Sequence, residues 1–308
     1  RTFGNLPDFD GLYFGLGFAA HYRFGQDPDA PQAEVRALQI AADEMPPVFA
    51  AMQKVYVREP LSHATLTNVE RNELTNLEIS FNQPAYMDTP TLCAEIDALA
   101  PGESVSVPIH ASFNDAVFGT SDVVPLNGEI IATYTYRRRT VTQTRPVSFN
   151  LQDRNAIIWD DDRKVAAFIT PRDSAVRNFA SFVAERSEAE STGYLPEALE
   201  KAMQAYHALA AIDLGYQPDP RSPFGAVQGG GAVDSVSIPR ETLVRRTGDC
   251  DDITVLVNTM LESVNVPTGF VTIPGHIYAA VNTGLAPREY GRIHPDRDMT
   301  LARDDSLW

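Results

Sequence analysis

The stretch "GDCDDITVLVNTMLESVNVPTGFVTIPGHIYAAV", Gly248–Val281, combines a helix signal with two strand signals. Phe270–Ile273 and Ile277–Val281 are rich in apolar and β-branched residues and flank Pro274 and Gly275, so they predict two strands that turn at the Pro-Gly pair. The helix signal is the 3-and-4 spacing of Ile253, Leu256, Val257, Met260, Leu261 and Val264. The segment therefore predicts a helix followed by a pair of buried strands.

This arrangement brings together the residue types of a nucleophilic site. Cys250 lies at or just before the first helical turn, and His276 follows the turn at Gly275. A helix terminus stabilises a thiolate by about 0.3–1 kcal/mol, which is too little against three nearby aspartates that we expect to be exposed. A thiolate–imidazolium pair with His276 would lower a cysteine pKa from about 8.5 to between roughly 3.5 and 7.5, so the spacing predicts a Cys–His site.

Other residues near Cys250 have supporting roles in this interpretation. Gly248 permits a tight entry into the helix, and Asp249 or Asp251 can accept hydrogen bonds from free amides of the first turn. Asp252 is interpreted as a capping or positioning residue. The three aspartates lack the spacing of a calcium loop, so we predict no metal site, and nothing indicates a cofactor.

Two further helices precede this segment. The stretch "PRDS", residues 171–174, and Pro196 supply start signals. The apolar stripes predicted to face the core are Val176, Phe179, Phe182 and Val183 in the first helix, and Leu199, Ala202, Met203, Tyr206, Leu209 and Ala210 in the second. The Gly/Pro-rich residues 218–234 lack phosphate-loop spacing and predict a surface loop.

Strand periodicity dominates the earlier part of the chain. Apolar residues alternate with polar ones at Leu77, Ile79 and Phe81, at Val105, Val107, Ile109, Ala111 and Phe113, and at Ile130, Ala132, Tyr134 and Tyr136. Short turns separate these runs, which favours an antiparallel β-sandwich of immunoglobulin-like type. His63 and His110 fall on polar positions and are interpreted as surface residues.

The N-terminal residues 12–24 alternate strictly, with aromatic residues toward the end. They resemble the last strand of a small outer-membrane β-barrel, whose other strands would precede Arg1; the alternative is an amphipathic strand of a soluble sheet. We expect three segments: residues 1–32, a barrel-like strand and linker; residues 33–152, the sandwich; and residues 153–308, a helix-containing domain.

The segment "IPRETLVRRTGDCDDITVLVNTMLESVNVPTGFVTIPGHIYAAV", Ile238–Val281, resembles the core of the transglutaminase-like superfamily, specifically the bacterial transglutaminase-like cysteine peptidases. The resemblance implies a papain-like α+β domain in which Cys250 is the nucleophile and His276 the general base and acid. It further implies acyl transfer on a peptide or protein substrate, with hydrolysis of peptide or isopeptide bonds favoured over crosslinking. The sandwich resembles domains that precede such cores in bacterial envelope proteins.

The family's third residue, an Asp or Asn that orients the imidazole, has no clear match. It normally lies on the strand after the histidine strand, and "DDSLW" at the end of the chain resembles the opening of that strand, so the residue is expected either beyond Trp308 or among in-chain substitutes. The substitutes are Asn282, Asp296, Asp298, Asp304 and Asp305.

Composition limits the remaining classes. A net charge of −16 and a pI near 4.7 argue against nucleic-acid binding and against adsorption to an anionic membrane. The two cysteines, Cys93 and Cys250, are too few for a disulfide scaffold and are predicted to be free thiols.

A periplasmic or outer-membrane-associated location in a Gram-negative bacterium follows only from the barrel-like strand. The competing hypotheses are a non-catalytic envelope scaffold or binding protein and a calcium-dependent adhesion module.

Overall fold

Two antiparallel sheets form the first part of this computed structural model, which describes residues 37–191, 193–218 and 233–308. A three-stranded sheet has the order β1-β2-β5, with β1 at Leu38–Ala42, β2 at Ser62–Asn68 and β5 at Ser104–Ile109. A four-stranded sheet has the order β4-β3-β6-β7, with β3 at Leu74–Asn82, β4 at Thr91–Leu99, β6 at Val124–Tyr136 and β7 at Arg139–Leu151. The predicted antiparallel β structure is thereby confirmed.

The predicted alternation defines the core between these sheets. Ile79 and Ala132 face each other across β3 and β6, and both are fully buried. The apolar residues of both sheets belong to one continuous cluster. The predicted strand was too long, because β5 ends at Ile109 and does not include Ala111 and Phe113. Both of these residues are nevertheless buried.

The basic run 137–139 forms the tip of a hairpin. Arg137 and Arg138 connect β6 to β7 with φ angles of 47° and 65°, the left-handed backbone that a two-residue hairpin turn requires. All three arginines are exposed.

Helices and short strands form the second part of the described chain. The helices are α1 (Ser174–Glu190), α2 (Glu197–Ala211), α3 (Pro239–Arg245) and α4 (Cys250–Ser263). The strand pairs are β8 (Ala156–Ile158) with β10 (Val233–Ser235), β9 (Gly215–Tyr216) with β11 (Thr247–Gly248), β12 (Thr268–Ile273) with β13 (His276–Val281), and β14 (Ala302–Arg303) with β15 (Ser306–Leu307). Only the β9–β11 pair is parallel among the strands described.

The starts of α1 and α2 follow the predicted signals. The Asp173 carboxylate accepts hydrogen bonds from the amides of Ala175 and Val176 at 2.9 and 3.3 Å, and α2 begins directly after Pro196.

The predicted core stripes of α1 and α2 were partly wrong. Phe182, Met203 and Tyr206 are 61%, 45% and 68% exposed. The face of α1 and α2 that packs on α4 is narrower than the predicted apolar stripe and includes the small residues Ala180 and Ala205. Their small side chains permit a close approach of the helices. The larger apolar side chains lie at the edge of this contact.

Several predictions fall outside the described residues. The barrel-like strand 12–24, the linker 26–31 and most of the Gly/Pro-rich loop are among them. The chain divides into Arg1–Arg36 and a compact unit Ala37–Trp308, so the domain boundary at residues 152/153 stays a prediction. Within the described ranges, no helix combines the length and apolar character needed to cross a bilayer.

Candidate functional site

Cys250 is the first residue of α4, as the helix spacing predicted. Gly248 lies directly before the helix, where a Cβ atom would come within 2.6 Å of Asp252 Cβ and 3.2 Å of Thr242 Cγ2. The close entry therefore requires glycine, as expected. Asp249 occupies the N-cap position without a side-chain hydrogen bond to the first turn, whereas Asp251 Oδ1 accepts one from the Asp252 amide at 2.7 Å. Of the two aspartates predicted to accept from free amides of this turn, Asp251 does so.

His276 is the first residue of β13, directly after the predicted turn. Gly275 adopts a φ of 80°, which suits glycine, and β12 pairs with β13 in an antiparallel hairpin. Two hydrogen bonds fix α4 against this hairpin: Thr254 Oγ1 donates to the Ile277 carbonyl at 3.3 Å, and Asn258 Nδ2 donates to the Gly269 carbonyl at 3.1 Å. The helix start and the strand start are thus held side by side.

The thiol and the imidazole line the same cavity of about 570 Å³. The Cys250 thiol contacts the Ile277 backbone, next to His276 in sequence, and forms a hydrogen bond with the Tyr216 side chain. The His276 ring meets the Tyr278 ring edge to face, with centroids 4.4 Å apart. The hydrogen bonds recorded among the described residues include none between Cys250 and the His276 ring.

The electrostatic environment differs from the expectation of screened, exposed aspartates. Asp249, Asp251 and Asp252 are only 6%, 1% and 9% exposed. Burial, together with the charges of Asp251 and Asp249, raises the pKa of the Cys250 thiol to about 11. The preformed thiolate–imidazolium pair predicted from the sequence is not supported, because desolvation removes the solvent screening on which that prediction depended.

Asp249 and Asp251 form a buried carboxyl pair. Burial, a hydrogen bond to Asp249 and the charges of Asp249, Asp252 and Asp234 raise the pKa of Asp251 to about 10, so this group is protonated at neutral pH. Asp249 Oδ1 and Asp251 Oδ2 are buried without another hydrogen-bond partner. A single proton shared by the two side chains would satisfy both oxygens and would leave one negative charge on the pair beside the thiol.

Asp252 has the positioning geometry that the sequence suggested. Its Oδ1 accepts a hydrogen bond from the Ser237 amide at 2.6 Å, and Ser237 Oγ in turn accepts one from Arg245. Burial raises the pKa of Asp252, while the Ser237 hydrogen bonds and the Arg245 charge oppose that shift. Carboxylate oxygens of Asp249, Asp251 and Asp252 lie within 4.8 Å of one another, and the shared proton accounts for two of them without a cation. The prediction of no metal is untested.

Within the described part of the chain, none of the predicted orienting residues forms a hydrogen bond with the imidazole. Asn282 follows the far end of β13, about 20 Å from His276 at the rise of an extended strand, and its Oδ1 accepts from the Gly284 amide. Asp296 Oδ1 accepts from the Asp298 amide in a local turn.

Asp304 and Asp305 form the exposed turn between β14 and β15, with φ angles of 50° and 58°. The predicted final strand is therefore a short hairpin. Leu307 of this hairpin forms backbone hydrogen bonds with Thr283 and Leu285. These two residues follow the C-terminal end of β13, whereas His276 lies at its N-terminal end.

Sequence reasoning missed the tyrosines around the cavity, Tyr206, Tyr216 and Tyr278. Tyr216 reaches Cys250 because β9 pairs with β11: the amide of Gly215 donates to Arg246, and that of Gln217 donates to Gly248. A two-residue strand leaves no periodic signal, so this pairing could not be read from the sequence.

Comparisons with known proteins assign no family. No protein-family model and no curated protein matches the chain. A solution structure described as that of a late embryogenesis abundant protein matches with 7% identity and a TM-score of 0.26, covering 39% of this chain and 74% of the other. A likeness of that size supports no conclusion about fold or function.

Proposed function

We propose that this protein is a transglutaminase-like cysteine acyl-transfer enzyme that hydrolyses peptide or isopeptide bonds. In this proposal an immunoglobulin-like sandwich precedes a papain-like α+β core. One observation carries the proposal: Cys250 at a helix start and His276 at a strand start line the same cavity. This is the juxtaposition that a Cys–His nucleophile pair needs.

The raised thiol pKa favours a general-base mechanism over a preformed ion pair. Neutral His276 accepts the thiol proton as Cys250 Sγ attacks the amide carbonyl. The proton then passes from the imidazolium to the departing amine, the C–N bond breaks, and a thioester remains on Cys250. Water attacks this thioester with His276 again as base, which releases the carboxylic acid and restores the thiol.

Two donors at the site are suited to the negative oxygen of the tetrahedral intermediate. Cys250 is the first residue of α4, so its backbone amide has no intrahelical partner. The Tyr216 side chain is 60% exposed, and its hydroxyl hydrogen-bonds with Cys250. Partial desolvation of the hydroxyl and the neighbouring charges of Cys250, Asp249 and Asp251 raise the pKa of Tyr216, so the phenol stays protonated and can donate. We assign these two groups as the oxyanion site.

Acylation by p-nitrophenyl acetate tests the proposal. Mass spectrometry should find an acetyl group on Cys250 that disappears with turnover, while Cys93 stays unmodified. Cys93→Ala should retain p-nitrophenol release, and Cys250→Ala should lose it. Equal acetylation of the two cysteines, or release that survives Cys250→Ala, would refute the assignment.

A non-catalytic scaffold or binding protein is the second candidate. The thiol pKa of about 11 and the lack of a recorded Cys250–His276 hydrogen bond within the described residues favour it. It predicts no acyl-enzyme at Cys250 under any condition. A calcium-dependent module predicts instead that millimolar calcium raises the Tm and that a chelator reverses the effect.

A periplasmic or outer-membrane location is part of the proposal and rests on residues 12–24. Surface proteolysis of intact cells compared with cells opened by osmotic shock tests it. A cytosolic fractionation pattern would contradict it.

A further inference from the structure

The cavity that contains the thiol has an apolar interior. Among the described residues of its lining, polar groups come from Asp249, His276, the Cys250 thiol and the hydroxyls of Tyr206, Tyr216 and Tyr278. Thr254 also lines the cavity, but its hydroxyl donates to the Ile277 carbonyl. The apolar side chains come from three directions around Cys250. They are Leu209, Ala210, Leu214, Ile253, Val257 and Ala279.

We infer that this cavity binds a large apolar side chain on the residue that donates the scissile carbonyl. The inference rests on the proposed function, because a carbonyl bound to Cys250 Sγ places the attached acyl residue inside the same space. About 570 Å³ lies within the range of small-ligand sites, which are typically apolar with few polar groups. Peptides with Phe or Leu at this position are the predicted substrate class.

The charge of the lining excludes acidic side chains. Asp249 is buried beside the thiol and belongs to the cavity lining, so its carboxylate would repel a carboxylate of the substrate. A Glu side chain should therefore be rejected relative to the neutral isostere Gln.

Acetylated amino-acid chloromethyl ketones with Phe, Gly, Gln or Glu side chains test the inference. In each alkylation the sulfur displaces chloride and the thiol proton goes to His276, so all probes share one chemistry. Rates at Cys250 are divided by the chloroacetamide rate of the same protein. The Phe probe should react about 10- to 100-fold faster than the Gly probe, and Glu slower than Gln by at least about tenfold.

A matched pair of variants locates the preference. Ala210→Trp fills the cavity from an exposed position on α2 and should remove the Phe preference, whereas Ala211→Trp, exposed but not part of the lining, should leave it intact. A Phe/Gly ratio within about twofold of one in the unmodified protein would overturn the inference. Chloroacetamide reactivity at Cys250 with no Phe preference would refute the substrate class while leaving the proposed nucleophile in place.

A binding measurement covers the case in which Cys250 reacts with no probe, which would count against the proposed function. NMR titration of Cys250→Ser with acetyl-Phe-amide and acetyl-Gly-amide should show at least about tenfold tighter binding of Phe, with shifts at the residues of the lining. Equal binding of the two amides, or shifts elsewhere only, would overturn the inference.

Discussion

Cys93 and Cys250 are the same side chain in two regions of one molecule. Cys93 lies on β4, where Sγ contacts the Thr91 and His110 carbonyls at 3.4 and 3.5 Å and accepts from the His110 amide at 3.4 Å. Cys250 opens into a cavity with an imidazole and a phenol. Burial raises the pKa of both thiols, so ionisation alone does not separate them. Cys250 shares a cavity of about 570 Å³ with His276, whereas Sγ of Cys93 contacts the backbone of Thr91 and His110. The difference teaches that an imidazole and a space for an electrophile at the same cavity, and not the thiol alone, define the candidate nucleophile.

Removing the base should produce the largest effect. His276→Ala is expected to slow acetylation of Cys250 by about 100- to 10,000-fold, because general-base catalysis contributes that much. The rate at Cys93 should not change. His207→Ala is the control, since His207 is exposed on α2 and lies outside the cavity lining. An unchanged Cys250 rate in His276→Ala would remove the distinction between the two cysteines.

Removing the phenol should have a smaller effect, confined to acyl transfer. Tyr216→Phe is expected to slow acetylation by about 100-fold, because an oxyanion donor is lost. Alkylation by iodoacetamide generates no oxyanion and should be nearly unaffected. Tyr206→Phe alters another tyrosine of the same cavity and should retain both rates. Equal slowing of both reactions by Tyr216→Phe would indicate a packing role.

The backbone at Gly248, just before Cys250, packs closely against Asp252. Gly248→Ala places a Cβ 2.6 Å from Asp252 Cβ and should lower the free energy of unfolding by about 2 kcal/mol. Gly215→Ala is the matched control on the paired strand, where nothing lies within 4 Å of the added atom. Urea denaturation measures both, and equal stability of the two variants would contradict the close packing under Cys250.

Much of this site could be predicted because its signals are local. The helix at Ile253–Val264 and the turn at Pro274-Gly275 depend on spacing and backbone preference within a few residues, and both were placed correctly. The burial of the aspartates was missed, since it depends on Ser237 and on the β9–β11 pairing, which come from distant parts of the sequence. The exposure of Phe182 was missed for a similar reason. Helical spacing predicts which face of a helix is apolar, but it does not predict how much of that face neighbouring elements cover.

A pH dependence of stability is expected from the carboxyl pair beside Cys250. The pKa of Asp251 is raised to about 10 in the folded chain from an ordinary value of 3.8, so the native state binds the extra proton between these values and stability falls as pH rises across them. From pH 5 to pH 9, the unmodified protein should lose several kcal/mol of unfolding free energy relative to Asp251→Asn, because each pH unit between the two pKa values contributes about 1.4 kcal/mol. Cys93→Ala, measured in parallel, should keep the original slope. Parallel pH profiles for Asp251→Asn and the unmodified protein would exclude the shared proton.

The most direct test of the Cys250–His276 site is the iodoacetamide alkylation rate of both cysteines, followed by mass spectrometry from pH 5 to pH 9. At pH 7 Cys250 should react faster than Cys93, and His276→Ala should reduce the Cys250 rate to that of Cys93. Equal rates for the two thiols in the unmodified protein at every pH would contradict the assignment of Cys250 as a nucleophile.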